Sequence, residues 1–231
     1  MPRDPMTLDE FRLAFARVKN LGYVRATRSG PTGVGHTFET LVGLEEDNIA
    51  LPDLGEVEVK SRRVNSTSMV TLFTFNRKAW QMKPLDAVRK YGTLDKQGRQ
   101  GLYFTMARTP TSPGLLLHVE DEFISVRHIS GEVVAVWSLE ALAQQFYKKM
   151  PALVLVSALS EVRDGVEWFN FTRAQLLTGT SPDILREQLL AGNVLVDLRL
   201  HDKITRARNH GTGFRAKESQ LTALFQNIME L

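Results

Sequence analysis

The 231-residue chain contains no cysteine. That absence excludes disulfides and thiolate metal sites, and it makes a reducing compartment the natural setting. Also lacking is any apolar run near the roughly 20 residues that a bilayer span needs. The N-terminal MPRDPMTLDE has no apolar core of a secretion signal either. A soluble, cytoplasmic protein without a membrane partner is therefore expected. No sign of charge dominates: 29 Lys and Arg stand against 26 Asp and Glu, a formal net charge of +3. So small an excess does not by itself indicate a polyanionic partner, and the placement of the charges matters more than their sum. Internal repeats, low-complexity tracts and long linkers are missing too. The expectation is a single domain over 1–231, divisible into two lobes, with the regions at residues 39–60 and about 194–217 of most interest.

What is present is a mixed pattern. Thr7-Leu8-Asp9-Glu10 fits the S/T-x-x-E capping box, and Leu8, Phe11, Leu13, Phe15 and Val18 are expected to form the apolar stripe of a first helix ending at Asn20-Leu21-Gly22. A second short helix is expected over Thr37–Leu44. Period-two alternation or apolar runs predict strands at Glu56–Lys60, Leu102–Ala107, Gly114–Val119, Glu122–His128, Glu132–Trp137, Ala152–Ala158, Glu167–Thr172 and Val194–Leu200. Helices are expected over Ser138–Lys149, Pro182–Leu190 and Glu218–Ile228. Helices mixed with strands, with hairpins in the middle of the chain, indicate an α/β or α+β class with a mixed sheet.

The stretch PDLGEVEVKS (Pro52–Ser61) places three carboxylates and a lysine within eight residues. On a strand, Glu56, Glu58 and Lys60 point to one side while Val57 and Val59 point to the other and anchor the strand in the core. Asp53, in a turn started by Pro52, can be aimed at the same point as Glu58. Such a set suits phosphodiester hydrolysis, because Mg²⁺ prefers oxygen ligands and is commonly held by one or two carboxylates plus substrate phosphate. A lysine alongside can orient or deprotonate the attacking water or neutralise phosphate charge. The plainer alternative is a strand with a solvated face and a Glu–Lys pair worth well under about 1 kcal/mol. Upstream, Glu39 lies among Phe38, Leu41 and Val42, where it can reach the same site. Gly33-Val34-Gly35 lacks the preceding strand and the G-K-[ST] ending of a phosphate loop. No nucleotide cofactor is expected, and the glycines are read as a flexible connector to the helix bearing Glu39.

Near the C-terminus, Asp197 and Arg199 share one strand face. They precede Lys203–Lys217 (KITRARNHGTGFRAK), where Lys and Arg recur and no acid occurs. Lys and Arg neutralise phosphates, Arg pairs bidentately with guanine and Asp accepts from cytosine N4, so the segment suits a G·C-rich duplex site. The alternative is a solvated loop paired with surface carboxylates. Arg62, Arg63, Arg77 and Lys78 are expected along the DNA backbone, with Asn65-Ser66-Thr67-Ser68 as a loop near the scissile phosphate.

With Glu39, Asp53, Glu58 and Lys60 in this order, the sequence resembles the restriction-endonuclease-like PD-(D/E)xK nucleases, more closely their MutH-like branch. Within it, the chain is similar to the MvaI/BcnI group of type II restriction endonucleases over nearly its whole length. The segment from Arg206 to Arg215 resembles that group's C-terminal recognition region. The resemblance implies a MutH-like mixed β-sheet flanked by helices, in two lobes around a DNA cleft. It implies Asp53, Glu58, Lys60 and Glu39 as catalytic residues, with Asp53 and Glu58 holding one or two Mg²⁺ ions that Ca²⁺ replaces without catalysis. It further implies Asp197, Arg199, Arg206, Arg208, His210 and Arg215 as base or phosphate contacts. The expected enzyme is a monomer that cuts double-stranded DNA one strand at a time, at a short CC-x-GG-like site, leaving 5′-phosphate ends. Alternatives are a mismatch-repair-type nicking enzyme, a DNA-binding module without catalysis, and an enzyme of small phosphorylated substrates. Whether Glu56 or Glu58 faces the metal is left open by the alternation, although the E-x-K spacing favours Glu58.

Overall fold

The computed structural model describes residues 6–44, 48–51, 55–76 and 79–231. Asp53, Arg77, Lys78 and the side chain of Glu56 lie outside the described residues. In chain order the first elements are β1 (Met6–Thr7), α1 (Leu8–Asn20), β2 (Tyr23–Arg25), α2 (Gly33–Val42), β3 (Asn48–Leu51), β4 (Gly55–Arg63) and β5 (Met69–Thr74). There follow α3 (Pro84–Tyr91), β6 (Thr93–Leu94), β7 (Gln100–Met106), β8 (Leu115–Val119), β9 (Phe123–His128), β10 (Val133–Ser138) and α4 (Leu139–Lys149). The last are β11 (Ala152–Arg163), β12 (Val166–Thr178), α5 (Pro182–Leu190), β13 (Val194–Asp202), β14 (Ala207–Asn209), β15 (Gly213–Lys217), a 3₁₀ helix (Glu218–Leu224) and β16 (Asn227–Glu230). The chain divides into two compact units, one of Met1–Ser68, Met150–Gly179 and Phe225–Leu231, the other of Met69–Lys149 and Thr180–Leu224.

The first unit is built on a mixed sheet in the order β1-β3-β4-β11-β12-β16, with β2 also on β12. Its centre is β11, whose residues from Ala152 to Ala158 are all buried, as a strand covered on both faces requires. β4 runs parallel to it, pairing Glu58 with Leu153 and Lys60 with Leu155. Helix α1 starts with the expected capping box, Thr7 accepting from Glu10 N and the Glu10 side chain accepting from Thr7 N. Its buried face is Phe11, Ala14, Phe15 and Val18. Leu13, expected in that stripe, is 69% exposed; two residues from Phe11 is about 200° around a helix, so Ala14 takes the inward place. Phe11 and Phe38 of α2 pack at 6.0 Å, and Phe38 meets Phe171 of β12 at 5.1 Å.

Two further expectations are corrected here. Helix α2 begins at Gly33 rather than Thr37, so Gly33-Val34-Gly35 is its first turn and not a flexible connector. A Cβ on Gly33 would lie 2.3 Å from the Arg28 carbonyl oxygen, so glycine serves close packing there. The expected terminal helix over Glu218–Ile228 stops at Leu224, and Asn227–Glu230 instead pairs antiparallel with Thr178–Gln175. The edge of β12 offers unpaired backbone groups that outweigh the local helical pattern.

The second unit carries a six-stranded sheet, β5-β15-β13-β7-β6 with β14 on β13, and a three-stranded antiparallel sheet, β10-β9-β8. Strand β13 alternates cleanly. Val194, Val196, Leu198 and Leu200 are buried on one face, with Met106 and Phe214 from its neighbours. Its other face carries Asp197, Arg199 and His201. No described helix is long and apolar enough to cross a membrane.

Candidate functional site

Strand β4 sets the first group of polar side chains. Val57 and Val59 belong to the core shared with Phe38, Val34 and Val154, so Glu58 and Lys60 leave the strand on the side away from that core. There Lys60 Nζ donates to Glu58 Oε1. Both side chains keep partial access to solvent, 42% for Glu58 and 31% for Lys60. The structure thus brings two of the four expected catalytic residues together. Asp53 lies outside the described residues. Glu39 projects from a half-buried position on α2, and its Oε1 lies 3.1 Å from where a Cβ on Gly35 would sit. The glutamate therefore folds back over the glycine turn. Among the described residues no group of three or more His, Asp or Glu is close enough to hold a metal ion. Glu58 supplies a partly exposed carboxylate, the ligand type that hard cations take.

Arg62 and Arg63 follow on the same strand. Arg62 Nε donates to Ser157 Oγ at 3.3 Å. Arg63 grips the Glu167 carboxylate with Nε at 2.6 Å and Nη2 at 2.7 Å. It also donates to the carbonyls of Gly30 and Pro31 at 3.0 and 3.1 Å. Its guanidinium lies 5.1 Å from the centre of the Phe169 ring. One side chain thus ties the segment entering α2 to β4 and β12. The Asn65–Ser68 segment turns away from β4, with Ser66 N donating to Arg63 O at 3.1 Å.

The second group sits on the polar face of the other unit's larger sheet. Asp197 is 4% exposed. Its Oδ1 accepts from Thr105 at 2.5 Å, and its Oδ2 accepts from Arg199 Nη2 at 2.8 Å and Arg215 Nη1 at 3.1 Å. Burial alone raises the Asp197 pKa, but the hydrogen bonds from Thr105 and Arg199 and the nearby Arg215 charge outweigh it and hold the carboxyl below its usual value. Arg215 is further fixed by a bond from Nη2 to Met69 O at 3.2 Å, while the Arg199 side chain stays 48% exposed. Antiparallel register adds Tyr103 opposite Arg199 and Arg208 opposite His201. Tyr103 OH and His201 Nδ1 are 3.0 Å apart, and His210 Nε2 lies 3.3 Å from the same nitrogen. The two imidazoles stack at 5.2 Å. Burial first, then the charges of Lys203, His210, Arg208 and Arg99, push the His201 pKa down.

Of the expected C-terminal contacts, Asp197, Arg199 and Arg215 are joined in one cluster. Arg208 and His210 lie exposed beside His201, and Arg206 is exposed in the turn before β14. Thr105, Tyr103 and His201 were not anticipated. Extending the β13 alternation by two residues would have found His201. Thr105 and Tyr103 arrive by strand register, which no local pattern announces.

A family model described as MvaI/BcnI restriction endonuclease matches residues 13–225. Among solved structures, the chain is similar to restriction endonuclease MvaI in complex with its cognate DNA substrate. That likeness has a TM-score of 0.63 and 24% identity, covering 97% of this chain and 99% of the other. It is equally similar to MvaI in the absence of DNA, with a TM-score of 0.63 and 23% identity over 100% and 99% of the two chains. Among curated proteins no match is found.

Proposed function

Because the chain belongs to the MvaI/BcnI restriction endonuclease family, it is a type II site-specific deoxyribonuclease, and we propose that Glu58 and Lys60 of β4 form the working edge of its active site. In this reading Asp53 and Glu58 hold Mg²⁺, and Glu39 completes the acidic cluster. A cation held there would supply Lewis-acid chemistry, lowering the pKa of a water and stabilising charge on the phosphate. Lys60 orients that water or neutralises a phosphate oxygen. Hydrolysis leaves 5′-phosphate ends. The single observation supporting the assignment is the side-by-side placement of Glu58 and Lys60 on a strand whose valines are locked in the core.

Sequence reading falls to the polar face of β13. Asp197 is buried and already accepts three hydrogen bonds, so in this proposal it aims Arg199 and Arg215 rather than meeting a base itself. Two guanidinium groups presented together match two guanines, which supports a short site of the CC-x-GG type. Arg206, Arg208 and His210 contact phosphates or flanking bases, and Arg62 lies along the backbone. The enzyme acts as a monomer and cuts one strand at a time.

Supercoiled plasmid incubated with the protein and Mg²⁺ tests the proposal. Discrete fragments with 5′-phosphate ends, preceded by nicked circles, are expected. DNA binding without cleavage under any divalent ion would overturn it in favour of a binding module. Sequencing the fragment ends then gives the recognition site.

A further inference from the structure

The turn between β13 and β14 holds a strained, solvent-facing apolar residue. Ile204 has φ +67°, the left-handed region that a β-branched side chain rarely enters. It is also 83% exposed, so burial of its side chain gives nothing back. The conformation is nevertheless over-determined. Thr205 N donates to Lys203 O at 2.7 Å, closing a turn around Ile204. Ile204 N donates to Asp202 Oδ1 at 2.5 Å, and Ile204 O accepts from Arg89 Nη2 at 2.7 Å. Arg89 Nε in turn donates to Asp202 Oδ2 at 2.8 Å. Glycine or asparagine would serve a turn of this shape at no cost. A residue held against its preference, with its side chain thrown outward, points to a role for that side chain.

The surroundings indicate what it meets. Lys203, Arg206 and Arg208 flank the tip and are exposed, and an open concavity of about 600 Å³ lined by Lys203, Thr205, Arg206, Ala207, Arg208 and Asn209 lies beside it. A partner that is polyanionic at its rim and apolar within matches this tip, and a base stack between two phosphate rails is of that kind. The tip also continues the strand that carries Arg199. Strands rise about 3.3 Å per residue, and duplex DNA rises about 3.4 Å per nucleotide along a strand. The three residues from Arg199 to the end of β13 at Asp202 thus span on the order of 10 Å, about three base-pair steps, and Ile204 stands two residues further on, in the turn.

We propose that Ile204 is an apolar wedge that enters duplex DNA at a base step flanking the recognised pairs, while Lys203, Arg206 and Arg208 grip the adjacent phosphates. Apolar side chains that wedge into base steps in this way unstack them and bend the duplex. The inference rests on the endonuclease reading above and adds a contact outside the recognised sequence.

The test uses the full chain, Ca²⁺ in place of Mg²⁺, and duplexes bearing the cleavage site mapped from the plasmid digest. A single 2-aminopurine is moved through the flanking steps. The wild-type protein should raise its emission several-fold at one flanking step. Ile204→Gly, which relieves the backbone strain and should melt no lower than wild type, should abolish that rise and bind the duplex about ten-fold more weakly. No responsive step, or a glycine variant that behaves as wild type, overturns the wedge. Wild-type binding to phosphatidylserine vesicles that Ile204→Gly loses would overturn it in favour of a lipid surface. A wild-type protein that cuts no plasmid strikes the endonuclease reading instead, and the two failures are distinct.

Discussion

Arg63 and Glu167 face each other as a two-pronged ion pair, Nε to Oε1 at 2.6 Å and Nη2 to Oε2 at 2.7 Å. The side chains are 23% and 22% exposed, so the pair is partly desolvated and the same guanidinium also holds two carbonyls before α2. Arg63→Ala leaves Glu167 without its fork and frees the Gly30–Pro31 segment. A loss of about 1–3 kcal/mol in unfolding free energy is expected, with a lower melting temperature. Arg63→Lys should recover little, because an ammonium cannot bridge a carboxylate and two carbonyls at once. Denaturant titration of the three proteins checks both expectations.

A second consequence concerns acid. Asp197 has a folded pKa below its ordinary value of 3.8. The sign follows from linkage: its contribution to stability is complete above pH 4 or so and is lost as pH falls through the folded pKa. Asp197→Asn should therefore lower stability at neutral pH and flatten the acid limb below about pH 4. It should also weaken DNA binding, because Arg199 and Arg215 would then repel each other without a shared anion. Melting curves from pH 2 to 7, with binding measured at pH 7, read the two effects separately. Full DNA affinity in the Asn variant would sink the positioning role.

Much of this arrangement is legible in the sequence, and its gaps have physical causes. The capping box at Thr7 and Glu10, the buried run at Ala152–Ala158 and the polar face of β13 are local patterns, and each forms as the local rules require. No local pattern announces strand β5 or helix α3, nor the strands β14 and β15 within the basic segment Lys203–Lys217. Short strands among polar residues carry too few periods for alternation to show. The same holds for Arg63. Its place in the basic run Arg62-Arg63 suggests a phosphate contact, and nothing in that run announces the pairing with Glu167, 104 residues away on another strand. Buried Asp197 shows the limit most clearly. The D-x-R spacing is visible, but the third and fourth members, Thr105 and Arg215, come from neighbouring strands.

The imidazole cluster should make DNA binding depend on pH. Burial first, and then the electrostatic influence of Lys203, His210, Arg208 and Arg99, depress the His201 pKa below its ordinary 6.5 in the free protein. Protonating it therefore opposes the folded state as pH falls below that value. Phosphates brought alongside would reverse the sign by favouring the imidazolium. Complex formation should then take up a proton, and affinity should rise as pH drops below about 6.5. His201→Gln should reduce that dependence, and His201→Gln combined with His210→Gln should remove it. Affinities measured from pH 5.5 to 8 at fixed salt decide it, and a flat wild-type profile would refute it.

Gly35 gives access to Glu39 without touching it. A methyl at Gly35 would lie 3.1 Å from Glu39 Oε1, closer than ordinary contact, and the glutamate end is what must give way. Alanine also favours helix over glycine by about 0.8–1.0 kcal/mol, so Gly35→Ala should be at least as stable as wild type. Cleavage should nonetheless fall several-fold if Glu39 works in the site. A stable variant with undiminished single-turnover cleavage would place Glu39 outside it.

The Glu58–Lys60 pair separates metal binding from chemistry. Lys60 Nζ donates to Glu58 Oε1, an oxygen of the carboxylate proposed to hold the metal, and so competes with a cation for it. Lys60→Ala removes that competitor, so the Mg²⁺ needed for half-maximal activity should not increase, while the cleavage rate should fall by about 10²–10⁴-fold. Glu58→Gln should instead shift the Mg²⁺ titration to higher concentration as well as slowing cleavage, because an amide is a poor ligand for a hard cation. Chelation with EDTA should stop the wild-type enzyme while leaving salt-dependent DNA binding measurable. Glu56→Gln is the control that resolves the alternation of β4. If it, rather than Glu58→Gln, moves the Mg²⁺ titration, the metal is held by the other carboxylate.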